Sequence, residues 1–379
     1  MNSLVVPLFQ PLTVRKVTLR NRIVMSAMTR SFSPQGVPGE DVAAYYARRA
    51  ENEVGLVLTE GVGVDDPAAL DNPRIPVMHG EAALAGWKRV TDRVHAAGGI
   101  IFPQLWHQGV LRDGRIAADP SIPNRSPSGL VGPFGQTSLN PEFVEWVSGP
   151  HPLLSEEDIA DLVAAFARSA AVAMRARFDG IALHGGHGYL IDSFLWGGTN
   201  LRTDRYGGDH VGRTRFVVEL VRAIRAAIGR DHPILLRFSQ HKQQDYLARL
   251  AETPQQLGEI LGPIADAGVD IFDASARRFW IPAFEGSDLN LAGWAKKVTG
   301  KVAMAVGSVG LGASLEESFA SGEARIADNI PMLMERFNRG DFDLVAVGRG
   351  VLADPAWVRH IRDDQPRVAF EKAMLGRLE

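Results

Sequence analysis

The sequence predicts an α/β fold, a (β/α)8 TIM barrel with an N-terminal hairpin and a long excursion after the third strand. Three observations predict it. Short apolar runs alternate with amphipathic stretches of helical period eight times along the 379 residues, a rhythm that builds a parallel sheet covered by helices. Eight strands close such a sheet into a barrel, which favours the barrel over a doubly wound open sheet. Three of the runs even begin alike: Phe178-Asp179, Val269-Asp270 and Phe342-Asp343 each lead into an apolar strand.

Taken in order, residues 12–14 and 17–19 flank Arg15-Lys16 as a small hairpin. Residues 23–28 form the first strand, and 41–51 the first helix, with Val42, Tyr45, Tyr46 and Arg49 at helical spacing. Strand 54–59 is followed by helix 81–97, whose stripe is Leu84, Trp87, Val90 and Val94 and whose stop is Gly98-Gly99. Strand 100–105 is the third. Ser155 opens a long helix with Asp158 as its capping-box partner, and strand 181–184 follows. Helix 215–228 ends at Gly229 and leads into strand 234–238. Thr253 caps a helix that has Pro254 at its first position, Gln256 completing the box and Gly268 beyond its end. Strand 271–274, a helix near 291–297, strand 302–306, a helix around 329–339, strand 344–347 and a terminal helix complete the alternation.

Residues 107–154 break the rhythm. They are rich in proline and glycine, and only residues 143–147 alternate like a strand. Such a stretch inside a compact domain is usually functional, here a lid or small hairpin subdomain. Following the third strand, it overhangs the C-terminal face of the barrel. The chain reads as one domain, residues 1–379.

Composition narrows the function by exclusion. A hydrophobic content of 45% is ordinary for a globular core. The formal net charge of −3 favours neither a nucleic acid nor an anionic membrane as partner. The absence of cysteine removes disulfides, thiol catalysis, iron–sulfur clusters and cysteine zinc sites. The N-terminus lacks the basic-then-apolar pattern of a secretory signal. No apolar run approaches the roughly 18 residues a membrane span needs. A cytoplasmic protein is therefore the expectation, one that works on a small molecule, with a homo-oligomer compatible.

In a barrel, active sites sit at strand C-termini, with phosphate often held after strands seven and eight. Residues 180–192 end one strand with His184, two glycines, His187, Gly188 and Tyr189. Glycines of that density turn the chain sharply and display two imidazoles and a phenol together. Such a cluster can hydrogen-bond an oxygen and supply a proton. Zinc held by the His-x-x-His pair is the rival reading, which lacks an obvious third ligand. Gly307-Ser308 and Gly348-Arg349 follow strands seven and eight. Their backbone N–H groups and the arginine suit a phosphate, although ordinary turns would also explain the glycines. Arg237 closes an apolar strand and must meet an anion, several acceptors or a structural carboxylate. Gln104 and Thr29 offer neutral hydrogen bonds. Arg277-Arg278 with Phe279-Trp280 could meet a charged or aromatic ligand but read rather as a solvated loop, and the polar residues 240–246 after strand five could cover the site without being diagnostic.

With these residues placed, the chain resembles the Old Yellow Enzyme family of FMN-dependent oxidoreductases. The motifs that carry the resemblance are Leu19-Arg-Asn-Arg-Ile-Val-Met-Ser-Ala-Met-Thr-Arg30, Gln104-Leu-Trp-His107, Phe178 through the cluster to Leu195, Thr199-Asn-Leu-Arg-Thr-Asp-Arg-Tyr-Gly-Gly208 and Val345-Ala-Val-Gly-Arg349. They run in the family's order over almost the whole chain. The resemblance implies tightly but non-covalently bound FMN at the barrel mouth. Ala27, Met28 and Thr29 would line it, Gly61 would offer a backbone contact, and Gln104 would bond the pyrimidine edge. Arg237 would lie near N1 and O2, which accounts for it better than a salt bridge does. Gly307, Ser308, Gly348 and Arg349 would cradle the phosphate.

The implied reaction has two halves: NADPH or NADH reduces FMN, and an activated alkene such as an enone is then reduced. His184 and His187 would hold the substrate oxygen, and Tyr189 would supply the proton. Departures from the family pattern are Ser26-Ala27 for Ala-Pro, and Gly61 for a common alanine, both expected to be tolerated. Thr29 stands where one branch has cysteine. The iron–sulfur cluster and second nucleotide-binding domain of larger relatives are not expected in a chain without cysteine. A metal-dependent hydrolase using His184 and His187, and a flavin-binding redox protein without alkene chemistry, are the alternatives.

Overall fold

Eight parallel strands close into a barrel in the computed structural model, which describes residues 2–379. The strands β1 (Leu12–Val14) and β2 (Val17–Leu19) pair as an antiparallel hairpin. The barrel then runs through β3 (Ile23–Met25), β4 (Leu56–Gly63), β5 (Ile101–Trp106), β6 (Ile181–His184), β7 (Ile234–Ser239), β8 (Ile271–Ser275) and β9 (Val302–Val306). A short β10 (Glu323–Ala324) lies outside it, and β11 (Leu344–Val347) closes the ring by pairing with both β9 and β3. The last strand, β12 (Phe370–Glu371), pairs with β10.

The helices are α1 (Glu40–Glu51), α2 (Glu81–Ala96), α3 (Pro141–Val147), α4 (Glu156–Arg175), α5 (Leu190–Leu195) and α6 (His210–Ile228). They continue with α7 (Pro254–Ala267), α8 (Leu291–Thr299), α9 (Leu315–Ser321), α10 (Ile330–Arg339), α11 (Arg349–Ala353) and α12 (Trp357–Arg362). Among the described residues no helix is long and apolar enough to cross a membrane.

Inside the barrel, Val24, Leu56, Leu58, Phe102, Ala182, Leu235, Ile271, Met304 and Leu344 form one apolar cluster. Val14, Val17 and Leu19 belong to the same cluster, so the hairpin plugs the N-terminal end. The three strand-opening aspartates act as repeated clasps at that end. Asp179 accepts the N–H of Ile101, Asp270 that of Ile234 and Asp343 that of Ala303, at 2.9, 2.9 and 3.0 Å. Each also meets a base, His95, Arg225 or Lys296 respectively. Backbone donors at the strand starts would otherwise be left unpaired in a buried setting.

Local chemistry explains the boundaries. Ser155 and Asp158 form both bonds of the capping box before α4. At α7, Thr253 accepts the N–H of Gln256, but the Gln256 side chain reaches back to Glu252 rather than to Thr253. The start of α6 lies earlier than residue 215, because Asp209 caps it by accepting the Gly212 N–H at 2.7 Å.

Residues 143–147 are not a strand. Asn140 caps and Pro141 opens α3, which sets Phe143 and Val147 on one face against Val110, Leu111 and Val131. Hence 107–154 contains a helix and a small apolar core of its own, and no hairpin among the described residues. The chain also ends differently from expectation: α12 is followed by β12, which ties the C-terminal segment to β10.

Candidate active site

The barrel ladder lines up the polar residues at its C-terminal end. His184 on β6 is in register with Arg237 on β7, and Arg237 with Asp273 on β8. Gly61 on β4 pairs with Gln104 on β5, and Gln104 with Ala182 on β6. Gln104, His184, Arg237 and Asp273 each stand two residues beyond an interior apolar side chain: Phe102, Ala182, Leu235 and Ile271. Alternation along a strand therefore points all four along the barrel axis, above the apolar filling.

Arg237 is in a buried ion pair, so the structural carboxylate that the sequence left open as its partner is present. Its Nε donates to Asp273 Oδ2 at 2.5 Å, and Nη2 donates to Ser26 Oγ at 2.8 Å. The Ala27 carbonyl accepts from Nη1 at 3.4 Å. Asp273 was hidden within an apolar strand run and escaped the sequence reading. Burial pushes its carboxyl upward, with Arg237 pulling the other way.

After β6 the chain turns through His187 and Gly188 at φ of 65° and 85°, the left-handed region that the glycine favours. Two anchors hold that turn. Ser239 Oγ accepts the His187 N–H at 2.9 Å, and Asp192 Oδ2 accepts the Gly188 N–H at 2.6 Å. Asp192 is in turn paired with fully buried Lys242, whose Nζ donates to Oδ1 at 2.7 Å.

The turn gathers His184, His187 and Tyr189. The His184 ring centroid lies 5.1 Å from that of His187 and 4.9 Å from that of Tyr189. Trp106 walls the group, stacked near His184 and edge-on to Tyr189. A fourth ring, His241, sits 5.1 Å from His187, whose Nε2 is 2.8 Å from Ser275 Oγ.

Burial, followed by the Arg237 charge, lowers His184 to about 3. His187 is held well below its usual value by burial and then by neighbouring His241 and His184. Tyr189 is pushed upward by burial. The site at neutral pH is thus two neutral imidazoles and a protonated phenol, a set of donors without net charge. No group of three or more metal-ligating side chains occurs among the described residues.

Gly307 and Ser308 take φ of 138° and 50° after β9, and Arg349 opens α11 after β11. These residues do come together, since Arg349 Nη2 donates to Ser308 Oγ at 3.3 Å. The guanidinium is mostly directed at the segment between them, donating to the carbonyls of Ala313 at 2.9 Å and Ser314 at 2.8 Å and to Ser318 Oγ. Burial lowers Arg349 to about 10. Gly348 adjoins Met28: a Cβ there would lie 3.4 Å from its Sδ. Thr29 is exposed at the mouth. Gly61 has a packing reason to lack a side chain, because a Cβ would collide with the Trp106 ring.

The excursion is zipped to the loop after β7. Gly135 N–H donates to Gln244 O at 3.0 Å, Tyr246 N–H to Gln136 O at 2.7 Å, and Thr137 Oγ1 to Gln243 O at 2.5 Å. Arg277 lies over the Tyr246 ring and pairs with Glu316 at 2.9 Å. Loops following β5, β7, β8 and β9 are therefore linked in series round the mouth. His107 serves the excursion's base: its Nδ1 accepts the Gly109 N–H at 2.9 Å, so Nε2–H faces Asp66 at 3.4 Å.

Residues 7–367 match the NADH:flavin oxidoreductase / NADH oxidase family. The chain belongs to that family. That family is one of FMN-linked NADH:flavin oxidoreductases and NADH oxidases. It is 37% identical to 12-oxophytodienoate reductase 7 of Oryza sativa subsp. japonica over 262 residues, 66% of this chain and 62% of that protein. It is 30% identical to the NADH oxidase of Thermoanaerobacter brockii over 367 residues, 94% of this chain and 50% of that protein. The chain thus spans between half and two thirds of the length of these relatives. Among solved structures, morphinone reductase in complex with tetrahydroNAD shares the fold at a TM-score of 0.81 and 24% identity, covering 98% of this chain and 96% of its own. An Old Yellow Enzyme homologue from Zymomonas mobilis does so at 0.78 and 24%, covering 98% of each chain.

The residues present fit the FMN that the family carries. Gln104 Nε2 is buried without a partner, a donor that an acceptor on a flavin's pyrimidine edge would satisfy. Arg237, at the same end of the barrel on β7, keeps a weakly engaged Nη1. Asp273 and Gln243, which no local pattern singles out, contact Arg237 and Tyr189 directly, whereas Lys242 acts through Asp192.

Proposed function

We propose that this member of the family reduces the C=C bond of α,β-unsaturated carbonyl compounds and related activated alkenes. The observation that carries the reading is the convergence of neutral His184 and His187 with protonated Tyr189 beside Gln104 and Arg237. Ala27, Met28, Thr29, Gly61, Gln104 and Arg237 are the proposed contacts of the flavin ring. Gly307, Ser308, Gly348 and Arg349 are those of its phosphate. Bound FMN, reduced by NADH or NADPH, supplies the hydride that the alkene takes at its β-carbon.

The protein's own residues supply the rest. His184 and His187 donate hydrogen bonds to the carbonyl oxygen, where negative charge grows as the alkene is reduced. Being neutral and preorganised, they need no reorganisation at that moment; one donor of this kind is typically worth about 10²–10³ in rate. Tyr189 gives its proton to the α-carbon, because a buried phenol keeps that proton at neutral pH. Trp106 and the clasped excursion restrict water.

Purified protein should be yellow, should bleach with NADPH or NADH under anaerobic conditions and should regain colour with 2-cyclohexenone. A colourless protein that cannot take up FMN would overturn the reading. Flavin that bleaches but is not reoxidised by any enone would leave the oxidoreductase and remove the alkene chemistry.

A further inference from the structure

Gln243 lies outside the expected set, in the loop after β7, yet its Nε2 donates to Tyr189 Oη at 2.7 Å. The backbone of Gln243 is anchored on both sides of the mouth. Its N–H donates to the His187 carbonyl at 3.2 Å, and its carbonyl accepts from Thr137 Oγ1 of the excursion. Tyr189 itself rests against the excursion's core of Val110, Leu111, Val131, Phe143 and Val147. The loop that presents Gln243 is thus fixed by the substrate-side turn and by the lid together.

We propose that Gln243 is a positioning residue that orients the Tyr189 hydroxyl for proton transfer to the substrate. This rests on the ene-reductase reading above. A phenol has one hydrogen and two lone pairs. A donor on one lone pair leaves the hydrogen unused and turns it away from Gln243, whereas an acceptor in the same place would capture it.

In the transfer, the Tyr189 O–H bond breaks and a C–H bond forms at the α-carbon, using the electron pair of the enolate. The Tyr189 oxygen carries the negative charge until solvent returns a proton. An N–H already aimed at that oxygen becomes a charge-assisted bond at that point. The other titratable groups around the phenol are His184, Asp71 and Tyr246. His184 is neutral, Asp71 and Tyr246 both oppose a phenolate, and the Gln243 amide donates to its oxygen.

The test uses the FMN-loaded enzyme and rapid mixing. Gln243→Leu should keep wild-type FMN content and slow reoxidation by 2-cyclohexenone about tenfold or more, well beyond any change in reduction by NADPH. On a Tyr189→Phe background the same substitution should add nothing, because the hydroxyl it orients is gone. Gln243→Glu, nearly isosteric, should approach wild-type reoxidation at low pH, where the carboxyl carries a proton to donate. It should lose activity as that carboxyl ionises, a limb that wild type lacks.

Equal slowing with and without the Tyr189 hydroxyl would overturn the proposal, as would a Gln243→Leu enzyme as fast as wild type. Wild-type enzyme that 2-cyclohexenone cannot reoxidise would overturn the underlying reading and Gln243 with it. That outcome is distinguishable because it appears before any variant is made.

Discussion

Arg237 and Asp273 are neighbours in the barrel ladder, and their side chains form a buried ion pair at 2.5 Å. The guanidinium proposed to face the flavin's N1 and O2 is therefore already balanced by a carboxylate. Asp273→Asn keeps the shape and removes that counter-charge. Two effects of opposite use follow. Without cofactor, the unpaired buried guanidinium should cost about 3–5 kcal/mol of stability. With FMN bound, the charge becomes available to the reduced ring, so the flavin potential should rise, by about 30 mV for each 1.4 kcal/mol gained. Thermal melts with and without FMN, together with potentiometric titration, check both; an unchanged potential would show that Arg237 does not act on the ring.

Gly61 is predicted to be intolerant of alanine, although alanine is common there in the family that the sequence resembles. The added Cβ would collide with Trp106, whose ring stands 4.9 Å from that of Tyr189. Overpacking of this kind costs about 1–3 kcal/mol and moves the side chain that is struck. Gly61→Ala should therefore lower the melting temperature and slow the alkene half-reaction. A variant with normal turnover and stability would mean that Trp106 has room to shift.

The barrel was legible because its strands are uninterrupted apolar runs bounded by helices with caps and glycine stops. Where the sequence misled, two periods fitted the same residues. Phe143-Val-Glu-Trp-Val147 alternates like a strand, yet Phe143 and Val147 also lie one helical turn apart, and only the partner surface of Val110, Leu111 and Val131 decides. In the site, His184, Gln104 and Arg237 stand out as polar groups near the ends of apolar strands, and Tyr189 as a phenol in the glycine-rich turn that follows one. Asp273 does not, because it sits inside the run Ile271–Ser275 and acquires meaning through Arg237. Lys242 and Gln243 are ordinary loop residues until folding brings them to Asp192 and Tyr189. Long-range pairing of that kind leaves no local pattern to read.

His184→Ala and His187→Ala should each weaken phenol binding, because phenolates mimic the oxygen that the imidazoles are proposed to hold. Charge-transfer absorbance on titration with p-hydroxybenzaldehyde reports this directly. His187 should be the more sensitive to its surroundings, since its Nε2 is already 2.8 Å from Ser275 Oγ. Unchanged affinity in both variants would place the oxygen elsewhere.

Glu60 is a buried acid within β4 whose Oε2 accepts the N–H groups of Arg30 and Ser31, at 2.8 and 2.9 Å. Burial raises it from 4.5 to about 7, although those two N–H bonds and the Arg30 charge pull it down. Below pH 4.5 the carboxyl is neutral in folded and unfolded chains alike, so its contribution to stability is fully present. As pH rises from 4.5 to about 7, the unfolded chain releases the proton first, and stability is lost across that window. Glu60→Gln keeps an acceptor for both N–H groups and cannot ionise. Urea midpoints should therefore fall with pH in wild type and much less in the variant. Parallel curves would mean that Glu60 is already ionised in the folded protein.

Lys242 and Asp192 form a fully buried pair, and theirs holds the turn that carries His187. Removing the cation alone strands a carboxylate in the core, at a cost of about 3–5 kcal/mol. Removing both charges avoids that penalty, and asparagine at 192 can still accept the Gly188 N–H. Lys242→Met should therefore be more damaging alone than when combined with Asp192→Asn, a non-additivity expected of residues in direct contact. Denaturation midpoints measure the energetic half of this, and phenol affinity measures whether the His187 turn has kept its shape. If the double variant recovers stability but not phenol binding, the charge on Lys242 serves the geometry of the turn; if it recovers neither, the contact of the Lys242 ammonium with the Trp196 ring, at 5.8 Å from its centroid, outweighs the ion pair.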